Sequence, residues 1–336
     1  MSFIDLCATL RLPRAPDEED ARTLAAAARA GGFSVVVVSP RGQEAVDVDS
    51  LGALIRVLDV AAATSGVRLV PALAPLLGTE LSDIVSMMKS LPTGTPRVLR
   101  LRAAVDDALL LSRIGAVAAA AGAVVVVPSF DASLMRGAVA VEGSTATRLG
   151  LPCVPEASEH IAISRIIEVT RLTGARFHIA GVFSARGAAL IEGAAGDGLV
   201  SGSVFASHLL VDDTALLALR YDTRLLMRPP VPTASSRAAL LAAVKAGVLM
   251  VATGHHAVPK RERDLEMTRA TPGLTSLAST GRLLSALLGR SELLRALSSG
   301  PAAVLGLPVT PQPAEANGNE SDDLSRLVTL VAEVSQ

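Results

Sequence analysis

The chain has 336 residues, of which 50% are hydrophobic, 19% charged and 2% aromatic. This composition supplies a large core and excludes an intrinsically disordered chain. Its 31 lysines and arginines nearly balance 32 aspartates and glutamates, which argues against binding of nucleic acid or an anionic membrane through bulk charge. Two cysteines, Cys7 and Cys153, provide no disulfide framework, and no basic segment precedes an apolar run at the N-terminus. We therefore expect a cytoplasmic protein.

Short runs rich in β-branched residues alternate along the chain with longer segments of helical spacing. Eight runs predict strands, at 3–9, 33–38, 67–73, 97–101, 123–127, 176–180, 198–204 and 248–252. Segments between them predict helices, at 18–30, 49–64, 106–121, 159–173 and 184–195. The uncharged stretch 114–130 is interpreted as a helix end, a turn and a strand rather than a membrane span. Because the strands are apolar throughout, they are typical of a parallel sheet covered on both faces.

Eight strand–helix units predict an α/β fold, a closed (β/α)8 barrel of the TIM type over residues 1–308. A doubly wound open sheet is the competing architecture. It is not favoured, because no GxGxxG follows the first strand and no GxxxxGK[ST] occurs. Residues 309–336 are predicted to form a polar linker and a short C-terminal segment. Within that segment, 324–334 is apolar enough to dock as one helix or strand.

Chemistry in such a barrel lies where strands run into the loops that follow them. A hydrolytic metal site there needs three or more converging His, Asp, Glu or Cys ligands. Few such residues occur at the predicted strand ends. His255 and His256 are adjacent, and neighbours on a strand point to opposite faces, so one metal rarely binds both. For His178 and His208, a structural hydrogen-bonding role is favoured over a role as ligand.

Several segments carry a family resemblance in consistent order over residues 3–308. SHLLVDDTALL at 207–217 resembles an HHLLLxDxxL motif, and LMVATGHHA at 249–257 resembles a strand ending in TDHAP. Other similar segments are MRPPVP at 227–232 (NPPLR), GLP at 150–152 (LGLPxxPxxAE), FHIA at 177–180 (HIxHxS) and GPAAVLGL at 300–307 (NPAxxLGL). These are motifs of dihydroorotases of the amidohydrolase superfamily. The resemblance implies that superfamily's barrel, with the β-sandwich that flanks many family barrels absent or rudimentary.

The positions of the family's metal-binding residues differ in this chain. The first strand of the family carries DxHxHLR, with two metal-binding histidines; here Cys7 and Thr9 take their places and Arg11 is kept. The second histidine of HIxH corresponds to Gly181, and the aspartate of TDHAP, a metal ligand and base, corresponds to Gly254. Without these groups no divalent ion would activate a water and no carboxylate would move its proton.

The resemblance therefore implies a non-catalytic homologue with no metal or other cofactor. The metal-binding histidine after the fifth strand falls near Pro128 or Ser129, which cannot replace an imidazole. The alternative is a divergent, metal-dependent amidohydrolase that binds zinc and hydrolyses a cyclic amide of the dihydroorotate type.

Arginines occupy several positions of this altered pocket. Arg41 and Arg228 correspond to family asparagines, and Arg102 lies where the family has a metal-bridging carboxylate. Near one barrel mouth they would bind a carboxylate or phosphate, pair with acidic neighbours such as Asp131, or simply fill the vacated pocket. The vestigial pocket is predicted to contain seven residues: Arg11, Arg41, Arg102, Arg228, His178, His208 and His255.

Some family members that lack the metal ligands form a complex with aspartate transcarbamoylase and are needed for its assembly or activity. The resemblance implies the same role here, in pyrimidine biosynthesis. The expected partner is the catalytic chain of aspartate transcarbamoylase in a hetero-oligomer, with no nucleic-acid or membrane partner.

Overall fold

The computed structural model describes residues 2–12, 14–41, 47–75, 79–101, 105–308 and 321–334. Its strands are β1 (Phe3–Arg11), β2 (Phe33–Arg41), β3 (Arg68–Pro71), β4 (Val98–Arg100), β5 (Val124–Pro128), β6 (Ala140–Val141), β7 (Cys153–Val154), β8 (Arg176–Ala180), β9 (Val200–Phe205) and β10 (Met250–Ala252).

Helices follow most of the strands. They are α1 (Ala21–Ala30), α2 (Val48–Ser65), α3 (Leu81–Ser90), α4 (Ala108–Ala120), α5 (Ala132–Met135), α6 (Ser144–Leu149), α7 (Ala157–Thr173), α8 (Ala185–Ala194), α9 (Ala206–Leu210), α10 (Thr214–Ala218), α11 (Ala234–Ala246), α12 (Lys260–Arg263), α13 (Leu277–Ser285), α14 (Arg290–Leu294), α15 (Gly300–Leu305) and α16 (Asp323–Val334). Helix α1 begins later than predicted because Asp20 caps it, accepting from the N–H of Thr23 at 2.8 Å.

The strands form two large parallel sheets. One has the order β1-β2-β3 and the other β10-β9-β8-β5-β4, while β6 and β7 form a small separate pair that the sequence did not predict. Isolated parallel bridges link the two large sheets at both edges, between Leu73 and Leu99 and between Thr9 and His256. The predicted α/β class with parallel strands is confirmed. Over the described residues, the eight predicted strands therefore do not form one continuous ladder, because a single isolated bridge connects the two sheets at each of these edges.

The strands are apolar throughout because both of their faces are buried. In β5, Val124 and Val126 pack in a cluster made mainly of strand residues. Val125 and Val127 pack on the opposite face, in the larger cluster that includes Leu54 of α2. Side chains alternate across a strand, so one valine run supplies both layers. β-Branched side chains also suit the pleated backbone.

A buried carboxylate joins the first and last strands of the two large sheets. Asp5 of β1 accepts hydrogen bonds from the backbone N–H of Thr253 (2.7 Å) and from its Oγ1 (2.8 Å), directly after β10. Burial raises the pKa of Asp5 above its ordinary value. The backbone N–H of Thr9 donates to the carbonyl of His255 at 2.9 Å. These bonds fix where the chain emerges from β10.

The C-terminal segment forms the docked helix α16. Its Leu324 and Leu327 are buried, and Asp323 forms an ion pair with Arg263 at 2.8 Å. Asp323 also accepts from the hydroxyl of Thr275 at 2.8 Å. Most of the predicted linker lies outside the described residues, and the boundary at residue 308 stays a prediction.

Among the described residues, no helix is both long and apolar enough to cross a bilayer. The uncharged stretch 114–130 contains the end of α4 and all of β5, as predicted from its composition.

Replacing Thr253 with valine keeps the shape of the side chain but removes the hydroxyl that donates to Asp5. A buried carboxylate oxygen then lacks its donor, so the free energy of unfolding should fall by about 1–3 kcal/mol. Chemical denaturation measures this. Thr64→Val, at an exposed position of α2, is the matched control and should change stability by less than about 0.5 kcal/mol. Equal effects of the two variants would show that the Asp5–Thr253 bonds do not hold the strands together.

Candidate functional site

A cavity of about 430 Å³ opens at the C-terminal ends of the strands. Its walls include Thr9 at the end of β1, Ser39 of β2, Ala180 at the end of β8 and Phe205 at the end of β9. This is the end at which active sites of parallel α/β barrels are built. A volume of this size accommodates a small molecule. The cavity is therefore the candidate functional site.

Among the described residues, the arginines that line the cavity are Arg41 of β2, Arg100 of β4 and Arg228 in the loop after α10. The structure thus brings together Arg41 and Arg228, both predicted from the sequence. Arg102 lies outside the described residues. The predicted pocket did not include Arg100, although this residue lies at the end of the predicted fourth strand, where site residues of such a fold are expected.

The structure places Arg11 apart from these arginines, outside the residues that line the cavity. It forms ion pairs with Glu18 (2.9 Å) and Glu262 (2.7 Å). Glu18 also pairs with Arg261 at 2.7 Å. For Arg11, the structure therefore shows the predicted alternative of pairing with acidic neighbours.

His178 lies in β8, two residues before Ala180 of the cavity wall, and is fully buried. Its Nδ1 hydrogen-bonds the hydroxyl of Ser201 and its Nε2 that of Ser203, both at 2.9 Å. Burial, aided by the charge of Arg100, lowers the pKa of His178 to about 3. The ring is therefore neutral at physiological pH, with both nitrogens bonded to protein hydroxyls.

His208 lies in α9 and holds the loop that carries Arg228. Its Nε2 is 3.2 Å from the carbonyl oxygen of Pro229 and 3.0 Å from that of Pro230. Because a carbonyl only accepts, Nε2 carries the proton. Burial lowers the pKa of His208 to about 4. The imidazole is therefore neutral at physiological pH and holds this loop through hydrogen bonds.

His255 and His256 point in different directions, as expected for neighbours. The Nε2 of His255 donates to Glu19 at 2.9 Å, and its Nδ1 accepts from the backbone N–H groups of Ser276 and Leu277. Burial alone would lower the pKa of His255, but the Glu19 carboxylate raises it. His255 thus anchors the start of α13 rather than lining the cavity.

His256, which was not in the predicted pocket, does line the cavity. Its Nε2 accepts a hydrogen bond from the guanidinium of Arg41. Burial and the charge of Arg41 lower the pKa of His256 to about 3. The ring is therefore neutral and contributes no charge to the cavity, so the positive charge there comes from the arginines.

The residues at the family's metal positions do not offer a zinc site. Cys7 is buried, and burial raises the pKa of its thiol, which disfavours the thiolate that binds metals. The hydroxyl of Thr9 donates to the carbonyl of His255 at 3.2 Å, and that of Ser129 donates to the carbonyl of Gly181 at 2.6 Å. Over the described residues, no three His, Cys, Asp or Glu side chains converge closely enough to bind an ion.

A phenyl ring fills the space that two further metal ligands would need. A Cβ at Gly181 would lie 2.8 Å from the ring of Phe205, and a Cβ at Gly254 would also lie 2.8 Å from it. Both glycines have positive φ, +81° and +64°, where other residues are strained. Histidine and aspartate at these positions would overlap the Phe205 ring. The described residues at these positions therefore do not fit a divalent metal.

Glu159 holds the loop that follows β8. It is fully buried at the start of α7 and accepts from the backbone N–H groups of Phe183 (2.7 Å) and Ser184 (2.9 Å) and from the Ser184 hydroxyl. Burial raises the pKa of Glu159 to about 8, although these donors oppose the shift. Sequence reasoning did not single out Glu159 as a site residue. The available signal was a carboxylate at the first residue of the predicted helix 159–173.

Comparison with known proteins finds no matching family model. A dihydroorotase-like protein of Pseudomonas putida is 32% identical over 314 residues, which cover 91% of this chain and 73% of that protein. A dihydroorotase of Anaeromyxobacter dehalogenans is 32% identical over 313 residues, covering 91% and 72%. A dihydroorotase of Mycobacterium tuberculosis is 30% identical over 334 residues, covering 93% and 74%.

Solved structures show the same fold. An L-hydantoinase (dihydropyrimidinase) from Arthrobacter aurescens superimposes with a TM-score of 0.75 at 16% identity, covering 95% of this chain and 73% of that one. A D-hydantoinase (dihydropyrimidinase) from a Thermus species gives a TM-score of 0.72 at 16% identity, covering 93% and 72%. At such low identity the likeness concerns the fold alone.

Gly254→Ala tests whether the Phe205 ring occupies the ligand space. Alanine at positive φ costs about 1–2 kcal/mol by itself, and overlap with the ring should add about 1–3 kcal/mol. Gly150 is the matched control, because it has φ +62° with nothing within 4 Å of an added Cβ. Gly150→Ala should therefore show the backbone cost only. Denaturation curves of the two variants measure the difference, and equal destabilisation would contradict the steric role of Phe205.

The raised pKa of Glu159 predicts a pH-dependent stability. Between its ordinary pKa of 4.5 and about 8, the folded chain keeps a proton that the unfolded chain has lost. The free energy of unfolding should therefore fall as pH rises through this window, by up to about 1.4 kcal/mol per pH unit. Glu159→Gln should remove this component of the slope. Glu168→Gln, at a 70% exposed position of the same helix, should leave it intact; identical slopes for all three proteins would contradict the assignment.

Proposed function

The chain belongs to the dihydroorotase family of amidohydrolases, and from this premise we propose that it is a non-catalytic member that assembles with the catalytic chain of aspartate transcarbamoylase. The observation that carries the non-catalytic part is the packing of Phe205 against Gly181 and Gly254. The same ring occupies the space that side chains would need at both positions where the family places a histidine and an aspartate.

Chemistry supports this part of the proposal. Hydrolysis of a cyclic amide in this family needs a metal-activated water and a carboxylate that moves its proton. None of the described residues that line the cavity is an aspartate or glutamate. The nearby buried carboxylates have other roles: Asp5 accepts from Thr253, and Glu159 accepts from Phe183 and Ser184.

The proposal includes a closed (β/α)8 barrel with the β-sandwich absent or rudimentary. The bridges at Leu73–Leu99 and Thr9–His256 support closure, because they connect the two sheets into one cyclic order of eight parallel strands. The likeness to hydantoinase structures supports the same architecture. The predicted domain boundary at residue 308 is part of the proposal.

The proposed partner is supported by the family resemblance and by the pattern of change. Family members that lack metal ligands include proteins that associate with aspartate transcarbamoylase. Here the strands keep both packed faces while the metal positions have changed. A well-packed scaffold without its metal ligands is expected when the protein acts by binding a partner through its outer surface. This would place the chain in pyrimidine biosynthesis.

The alternative is a divergent amidohydrolase that binds zinc and acts on a dihydroorotate-type cyclic amide. The names of the relatives favour it, because several at 30–32% identity are called dihydroorotase. It requires metal ligands other than those found among the described residues, and metal analysis of the purified chain distinguishes the two functions.

Two measurements on the purified chain test the proposal. Mixed with the aspartate transcarbamoylase catalytic chain encoded in the same genome, it should co-elute as a hetero-oligomer in size-exclusion chromatography with light scattering. With dihydroorotate or carbamoyl aspartate it should give no turnover above the uncatalysed rate, with or without added zinc, while an intact dihydroorotase serves as positive control. A chain that neither binds that enzyme nor alters its activity would refute the partnership. Bound zinc at about one equivalent, with turnover, would establish the alternative.

A further inference from the structure

We propose that the cavity at the strand ends binds a small oxyanion with two or more negative charges, held by Arg41, Arg100 and Arg228 together with the hydroxyl of Ser39. The shared chemistry of such a ligand is a phosphate group or a pair of carboxylates. This inference does not rest on the proposed partner, because the binding site lies within the chain itself.

The first support is the charge of the cavity. Arg41, Arg100 and Arg228 come from three separate segments and line one space. None of the described lining residues carries a negative charge, and much of the remaining wall is apolar, as at Phe205 and Pro229. Like charges repel, and low-dielectric walls strengthen both that repulsion and the attraction for an anion. A bound anion would offset the cost of bringing these guanidinium groups together.

The second support is a pair of buried donors that find no partner among the described residues. Ser39 is fully buried, yet no described residue hydrogen-bonds its Oγ, and the same holds for the buried Nη1 of Arg100. Both residues line the cavity. Buried polar groups in folded proteins are nearly always satisfied. An oxyanion in the cavity would supply acceptors for both.

The third support is that Arg100 and Arg228 differ from Arg11, whose charge is neutralised by glutamates. Arg11 forms two ion pairs with glutamates just outside the cavity. Neither Arg100 nor Arg228 forms an ion pair with any described residue. Arg100 and Arg228 are thus the cavity arginines with capacity to bind an external anion.

The loop that carries Arg228 is held in place by the protein interior. His208 donates to the carbonyls of Pro229 and Pro230, and these hydrogen bonds hold the backbone next to Arg228 in position. Guanidinium groups on fixed backbones lose less freedom on binding. The hydrogen bonds of His208 therefore reduce the loss of freedom when Arg228 binds an anion.

Binding of inorganic phosphate and of succinate to the full chain tests the inference, by calorimetry and by melting temperature at ionic strength held constant with sodium chloride. Arg228→Met should weaken binding about 10- to 100-fold, as expected for loss of one charged hydrogen-bonding group. Arg100→Met should have a similar effect. Arg113→Met, at an exposed position of α4, changes the net charge equally and should bind like the unaltered chain. Arg228 is itself an exposed residue, so its variant should fold and gives the result even if Arg100→Met does not.

Each outcome decides the inference. Binding of phosphate alone, of succinate alone or of both, lost in Arg228→Met and kept in Arg113→Met, would support it and identify which chemistry the cavity prefers. Absence of binding by both probes would overturn it, and so would equal binding by the two variants. Because these measurements use the chain alone, they are independent of the test with aspartate transcarbamoylase.

Discussion

Contact between one phenyl ring and two glycines determines what the site of this protein can contain. Phe205 closes on Gly181 and Gly254 from the end of β9, and each glycine has a backbone conformation that other residues adopt only with strain. The ring therefore fits only because both positions lack a side chain. The same ring occupies the space that a side chain at either position would need, and it forms part of the wall of the cavity.

Positive charge in the cavity now comes from guanidinium groups. Arg100 lies close enough to His178 and His256 to lower the pKa of both imidazoles, adding to the effect of burial. In a metal site, neutral imidazoles would direct lone pairs at a cation. Here the nitrogens of His178 bond serines, and the Nε2 of His256 accepts from Arg41. The cavity thus has the electrostatics of an anion site, with cations on its wall and no carboxylate among the described lining residues.

Buried polar groups around the cavity do structural work for the surrounding scaffold. Asp5 joins β1 to the end of β10, Glu159 fixes the loop after β8, and His255 anchors α13 through two backbone N–H groups. Each is buried with its hydrogen bonds formed, which avoids the cost of an unsatisfied polar group. The loops around the cavity are therefore held by hydrogen bonds within the protein.

The sequence alone predicted the α/β class and the positions of all eight main strands, because short apolar runs bounded by turn residues recur between longer segments of helical spacing. It also identified Arg41 and Arg228, since strand ends and motif positions can be read along the chain. Only the tertiary structure decided that Arg11 turns to Glu18 and Glu262, that Arg100 and His256 line the cavity, and that Phe205 fills the ligand space. These facts depend on contacts between segments up to some 250 residues apart, such as Arg11 with Glu262 (a separation of 251). Local propensity carries no information about side-chain direction over such distances.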